Sequence, residues 1–163
     1  VGLSDNPGTF PLYDYAGSDG SSHASFLPAT FEVLYTSSAT TDQVVVVTLD
    51  DYIAKRSIAA IDLLKVDVEG LELSVLAGAS KTIADGVVSM VQLEFNAHNL
   101  FTGTSLLSLS KALPGFDVYR VLSNGLAPVV TQGVPYNSRA EIFKYANLVA
   151  FRMGAEPNAS LLR

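Results

Sequence analysis

Apolar and polar positions follow two rhythms along this chain. The apolar run at residues 61–66 carries Lys65 and continues through Asp67, Val68 and Glu69, with every second side chain charged, before it breaks at Gly70. In an extended strand successive side chains take opposite faces, so Lys65, Asp67 and Glu69 would share one side while Leu64, Val66 and Val68 take the other. Leu73, Leu76, Ala79 and Ile83 then recur at helical spacing, which predicts one amphipathic helix over 71–84 with its stop at Asp85-Gly86. Residues 87–95 form a second apolar run, and the strand-helix-strand unit over 61–95 is long enough for a parallel crossover.

The flanking pattern is more broken. Short extended pieces at 10–13, 30–35 and 43–49, separated by connections rich in Gly, Ser, Thr and Asp, predict a β-rich flap. A short helix follows at Leu49, with Asp50 near its start, where an acid favours exposed amides and the positive dipole end. Residues 105–113 read as a helix ended by Pro114-Gly115, and 116–122 and 147–151 as strands. The first of these strands turns at Ser123-Asn124-Gly125 into 126–131. Strands alternating with helices make this an α/β domain.

If 61–66 is a buried parallel strand, its acids arrive at the carboxyl end, where open α/β sheets bind ligands. Burying the Lys65 ammonium is costly unless it is paired, so Lys65 is expected to reach Asp67, Glu94 or a ligand. Glu94 and Asn96 alternate across Phe95 at the next strand end. Adjacent strands lie about 5 Å apart, so Lys65, Asp67, Glu69, Glu94 and Asn96 would line one crevice. Two crowded carboxylates raise each other's proton affinity and make one of them a candidate general base. His98 is the other candidate base, whereas His23, in the early loop, reads as a surface residue. The plainer account is structural: Asp67 caps the next helix, Glu69 and Glu72 sit near its positive end, and Gly70 permits the turn, each contributing about 0.3 to 1 kcal/mol.

Composition narrows the function classes. An apolar content of 48% over 163 residues suffices for one core. Charged residues make up only 16%, against about 25% in an average soluble domain, which suggests that part of the molecule lies outside this segment. A net charge of -6 argues against nucleic acid as a partner, because phosphate binding needs clustered Lys and Arg. The absence of cysteine removes disulfides and thiolate metal sites and fits a cytoplasmic location. No apolar run reaches the ~18 residues of a membrane span. The sequon at Asn158-Ala159-Ser160 is a short pattern that arises by chance. Aromatics at Tyr13, Tyr15, Phe26, Phe31 and Tyr35 would serve a carbohydrate-binding module as a stacking surface, but in β-rich segments they read as core.

The run Ile61-Asp62-Leu63-Leu64-Lys65-Val66-Asp67-Val68-Glu69-Gly70, followed by Glu72, Val75-Leu76 and Gly78-Ala79, resembles the signature segment of the FkbM-type methyltransferases. Other landmarks match in order: Gly2-Leu3-Ser4-Asp5, Val47-Thr48-Leu49-Asp50-Asp51-Tyr52, Val91-Gln92-Leu93-Glu94-Phe95-Asn96, Gly115-Phe116-Asp117-Val118-Tyr119-Arg120 and Ala146-Asn147-Leu148-Val149-Ala150. The resemblance implies a Rossmann-like class I methyltransferase sheet that uses S-adenosylmethionine to methylate a hydroxyl of a sugar, glycolipid or natural-product acceptor. It places Ser4, Asp5 and Asp67 beside the cofactor, assigns catalysis to Asp67, Glu69 and Lys65, and gives the acceptor Glu94, Asn96 and His98. Magnesium on Asp67, Glu69 and Glu94 is the less favoured option.

The family's glycine-containing cofactor loop, and the acid that holds the ribose, have no counterpart in these residues. The expectation is therefore one partial domain comprising the C-terminal portion of the sheet. Its divisions are a third-strand end and β-rich flap over 1–48, a core over 49–152 and a tail over 153–163. The strand at 61–66 would then carry an unpaired edge, which the missing half of the domain or self-association would cover. The alternative is a non-catalytic methyltransferase-like domain kept for binding or assembly.

Overall fold

A computed structural model describes residues 1–16, 24–35, 39–131, 136–155, 160 and 162 of the chain. His23 and, in the sequon, Asn158 and Ala159 lie outside them, as do the side chains of Phe31 and Tyr35.

Near the N-terminus β1 (Gly2–Leu3) runs parallel to β3 (Ala39–Val47), and β2 (Gly8–Tyr15) pairs antiparallel with the other side of β3. Helix α1 (Leu49–Arg56) starts where the Thr48 hydroxyl accepts the Asp51 amide at 3.0 Å. Next come β4 (Ile61–Val66), α2 (Glu72–Ala77), α3 (Ser80–Ala84) and β5 (Val88–Phe95). The chain then forms α4 (Asn99–Thr102), α5 (Leu106–Lys111), β6 (Phe116–Leu122), β7 (Gly125–Val130) and β8 (Ala146–Arg152). These strands make a five-stranded sheet in the order β4-β5-β8-β6-β7. The β4-β5 pair is parallel, as the crossover pattern predicts, and β8 runs antiparallel to both of its neighbours. The molecule is therefore α/β with mixed sheets.

Its core is built from the inward positions of the strands, Leu64, Val66, Val91, Leu93, Phe95 and Leu148, against Val75, Leu76, Ile83 and Leu109 of the helices. Each fully buried side chain of this size contributes roughly 1.5 to 3 kcal/mol. On β4 Leu64 and Val66 are buried in that core, and Ile61 packs against it half-buried. Leu63 is 46% exposed, because β4 is at the edge of the sheet and, among the described residues, pairs with β5 alone.

Three expectations need correction. Residues Thr30–Tyr35 form a π-helical turn and not a strand. Pro28 precedes it at the start of the helical segment, where a fixed φ favours helix entry. The helix expected over 71–84 is split into α2 and α3. At the break a Cβ on Gly78 would lie 2.0 Å from the Ser4 carbonyl oxygen, so only glycine fits. The Gly78 carbonyl accepts the Asp50 amide, and the Asp50 carboxylate accepts the amides of Lys81 and Thr82 at 3.0 and 2.7 Å. Asp50 thus caps α3 in addition to sitting in the first turn of α1. Finally, Lys65 is exposed and not buried, as an outward residue on an edge strand must be.

Candidate active site

The site begins where β4 stops. Residues 67–70 turn sharply, with Glu69 at φ 51° and Gly70 at φ 97°. For Glu69 this left-handed geometry costs about 1 kcal/mol, which the surrounding bonds must offset. Those bonds come from Glu72, which is 1% exposed. One of its oxygens accepts the amides of Gly70 and Val68 at 3.2 and 3.4 Å, and the other accepts Asn99 Nδ2 at 2.7 Å. Asn99 Oδ1 in turn accepts the Asn96 amide at 2.9 Å. The turn after β4 and the turn after β5 are therefore tied together through two buried side chains. Gly70 completes the joint: a Cβ there would come within 2.8 Å of the His98 carbonyl oxygen.

The joint gathers the acids. Asp67, Glu69 and Glu94 each place a carboxylate oxygen within 4.8 Å of the others. Lys65 Nζ lies 2.8 Å from Asp67 Oδ2. Asn96 Nδ2 donates to Glu94 at 2.6 Å, while Asn96 Oδ1 accepts the His98 amide at 2.8 Å. His98 Nδ1 stands 2.8 Å from Asn96 Oδ1 and 2.9 Å from Glu69 Oε2. Beside this group opens a hollow of about 260 Å³ lined by Glu69, Glu94, Asn96, His98, Phe143 and Tyr145. Phe143 is held by the Phe95 ring, 5.1 Å away between centroids.

Two more hollows flank the turn. One of about 280 Å³ lies between the β1 end and Lys65, Val66, Asp67 and Val68. The other, about 250 Å³, is bordered by Asp5, Gly70, Ser74 and Thr104. Each is smaller than the roughly 300 to 1,000 Å³ of a usual ligand pocket, so a cofactor-sized ligand would span more than one.

The structure thus brings Lys65, Asp67, Glu69, Glu94, Asn96 and His98 together. It leaves Ser4 and Asp5 apart from them, hydrogen-bonded to each other at 2.9 Å on the far side of the turn. Glu72 and Asn99 were not legible as site residues, because a contact spanning 27 positions leaves no local pattern.

Electrostatics follow the crowding. Burial pushes the Glu94 carboxyl above its ordinary value; the Asn96 bond opposes this, and the charges of Asp67 and Glu69 add to the rise. Burial likewise raises Glu72, despite its hydrogen bonds. The hydrogen bond and charge of Asp67 raise Lys65, with a smaller push from Glu94. An oxygen triad of this kind suits a hard cation. Here, however, the Lys65 ammonium already engages Asp67 and the imidazole already meets Glu69, so the group is furnished for hydrogen-bonded chemistry.

Comparison with known proteins adds one match. A family model described as "Methyltransferase FkbM domain" matches residues 1–119. No curated protein and no solved structure matches the chain.

Proposed function

This chain belongs to the methyltransferase FkbM family, and from that premise we propose that it is an S-adenosylmethionine-dependent O-methyltransferase acting on a hydroxyl of a sugar, glycolipid or natural product. One observation carries the reading. A lysine, three carboxylates, an amide and an imidazole converge beside a hollow at the carboxyl ends of two parallel strands, where ligands of open α/β sheets are held.

The residues fit both reactants. The hollow between β1 and Asp67 has apolar walls in Leu3, Val66 and Val75, with the Asp67 carboxylate and its partner Lys65 at one side. Asp67 there suits the ammonium of the cofactor's amino-acid end. When bound, the cofactor supplies an electrophilic methyl group on a sulfonium. On the other side, Glu94, Asn96 and His98 offer the acceptor hydrogen bonds, and Phe143 and Tyr145 offer ring faces. Lys65 steadies Asp67, while Asp67 and Glu69 accept hydrogen bonds from neighbouring hydroxyls of the acceptor and so hold the one that reacts in place. Rate comes chiefly from holding that oxygen in line with the methyl carbon, with proton removal adding a smaller factor.

Asp67→Asn in the intact protein is expected to lower turnover by about 10²- to 10⁴-fold with little loss of stability, because Asp67 is exposed and outside the core. Unchanged turnover would refute the role. EDTA should leave the wild-type rate intact, and a loss reversed by magnesium would shift the three acids to a metal site.

A further inference from the structure

We infer that His98 takes the acceptor's proton, and that Asn96 and Glu69 select Nε2 as the nitrogen that does so. This rests on the methyl-transfer reading above and names the base within it. The orientation of Asn96 fixes the argument. Its Nδ2 donates to Glu94 at 2.6 Å and its Oδ1 accepts the His98 amide at 2.8 Å, so oxygen and nitrogen cannot be exchanged without losing both bonds. That same Oδ1 lies 2.8 Å from His98 Nδ1, and Glu69 Oε2 lies 2.9 Å from it. Asn96 Oδ1 can only accept, so the Nδ1 hydrogen-bonded to it carries a proton. A neutral imidazole has only one, so the basic lone pair sits on Nε2.

The ring is also placed for the task. His98 is 6% exposed, borders the hollow of about 260 Å³, and follows the turn that Asn99 ties to Glu72. The charged and titratable groups around it are Glu69, Glu94 held through Asn96, Asp67 with Lys65, Glu72 behind Asn99, and Tyr145 on the rim. Three nearby carboxylates stabilise an imidazolium as it forms, which is the logic by which an acid orients and supports a catalytic histidine. Glu94 shares one oxygen with Asn96, and Asp67 has one engaged by Lys65. In the step, a lone pair of the acceptor oxygen forms the bond to the methyl carbon and the sulfur–methyl pair returns to sulfur. The oxygen–hydrogen pair stays on oxygen while the proton passes to Nε2.

The test has a readout independent of turnover. In ¹³C,¹⁵N-labelled intact protein the His98 imidazole is assigned through its bonds to the His98 backbone amide. Long-range ¹H–¹⁵N spectra near neutral pH should show Nδ1 protonated and Nε2 bare, with the preference weakened in Glu69→Gln. In parallel, His98→Gln should lower kcat by about 10²- to 10⁴-fold with little change in KM. A proton found on Nε2 overturns the assignment, even if His98→Gln fails to fold. So does a folded His98→Gln that turns over at the wild-type rate. Absence of transfer by the wild type would bring down the methyltransferase reading and this assignment with it, whereas the other two outcomes overturn only the assignment.

Discussion

Glu94 shows what this site costs the fold. Its proton affinity is raised by burial and by two neighbouring acids, and the carboxyl oxygens of all three lie within 4.8 Å of one another. Glu94→Gln keeps an oxygen for the Asn96 amide and removes one charge. We expect it to stabilise the protein by roughly 0.5 to 1 kcal/mol, read from the urea midpoint, while methyl transfer falls. A destabilised Glu94→Gln would mean that the charge serves the fold. Asp67, Glu69 and Glu94 were legible in the sequence, because alternation along parallel neighbours places strand-end acids together. Glu72 and Asn99 were not. Their pairing depends on the left-handed turn at Glu69, which no periodicity signals. The burial expected for Lys65 failed for a related reason: a charge inside an apolar run suggests a paired interior cation, yet an edge strand offers the same residue to water.

At the scale of elements, local pattern located most helices and strands but not what breaks or anchors them. The split between α2 and α3 is made by Gly78 against the Ser4 carbonyl and by the Asp50 carboxylate from α1. The segment before β8 is anchored in the same way. Glu141 accepts the amides of Leu106 and Leu107 at the start of α5, and the Tyr136 hydroxyl, pushed up to about 12 by burial and then by Glu141, donates to it. That anchor fixes the approach of Phe143 and Tyr145 to the hollow. Asp50 carries a pH prediction. Burial alone would raise its carboxyl, but bonds from the Thr82 hydroxyl and the amides of Thr82 and Lys81 outweigh it and set it below 3.8. A lowered folded value means that the contribution is complete above 3.8 and is lost as pH falls through the folded value. Asp50→Ala should therefore cost about 1 kcal/mol near neutral pH, with the gap to wild type closing in acid. A gap that persists in acid would contradict the capping role.

On the scale of the whole molecule, the alternation of strands and helices conveyed an α/β chain, but strand order was not readable. Nothing in residues 146–152 reveals that β8 inserts between β5 and β6, because partner choice is set by packing across the sheet. The unpaired edge at 61–66 was expected from the family topology, and among the described residues β4 has one partner. An apolar edge residue such as Leu63 invites another strand. Sedimentation velocity of the 163-residue chain should detect association that Leu63→Lys reduces. A monomer at all concentrations would count against that. The central claim concerns chemistry, and labelled methyl transfer from S-adenosylmethionine to a panel of sugars, glycolipids and natural products by the intact protein tests it most directly. The account predicts label fixed as an ether on a hydroxyl oxygen of at least one acceptor; folded protein that binds the cofactor yet labels none of them would contradict it.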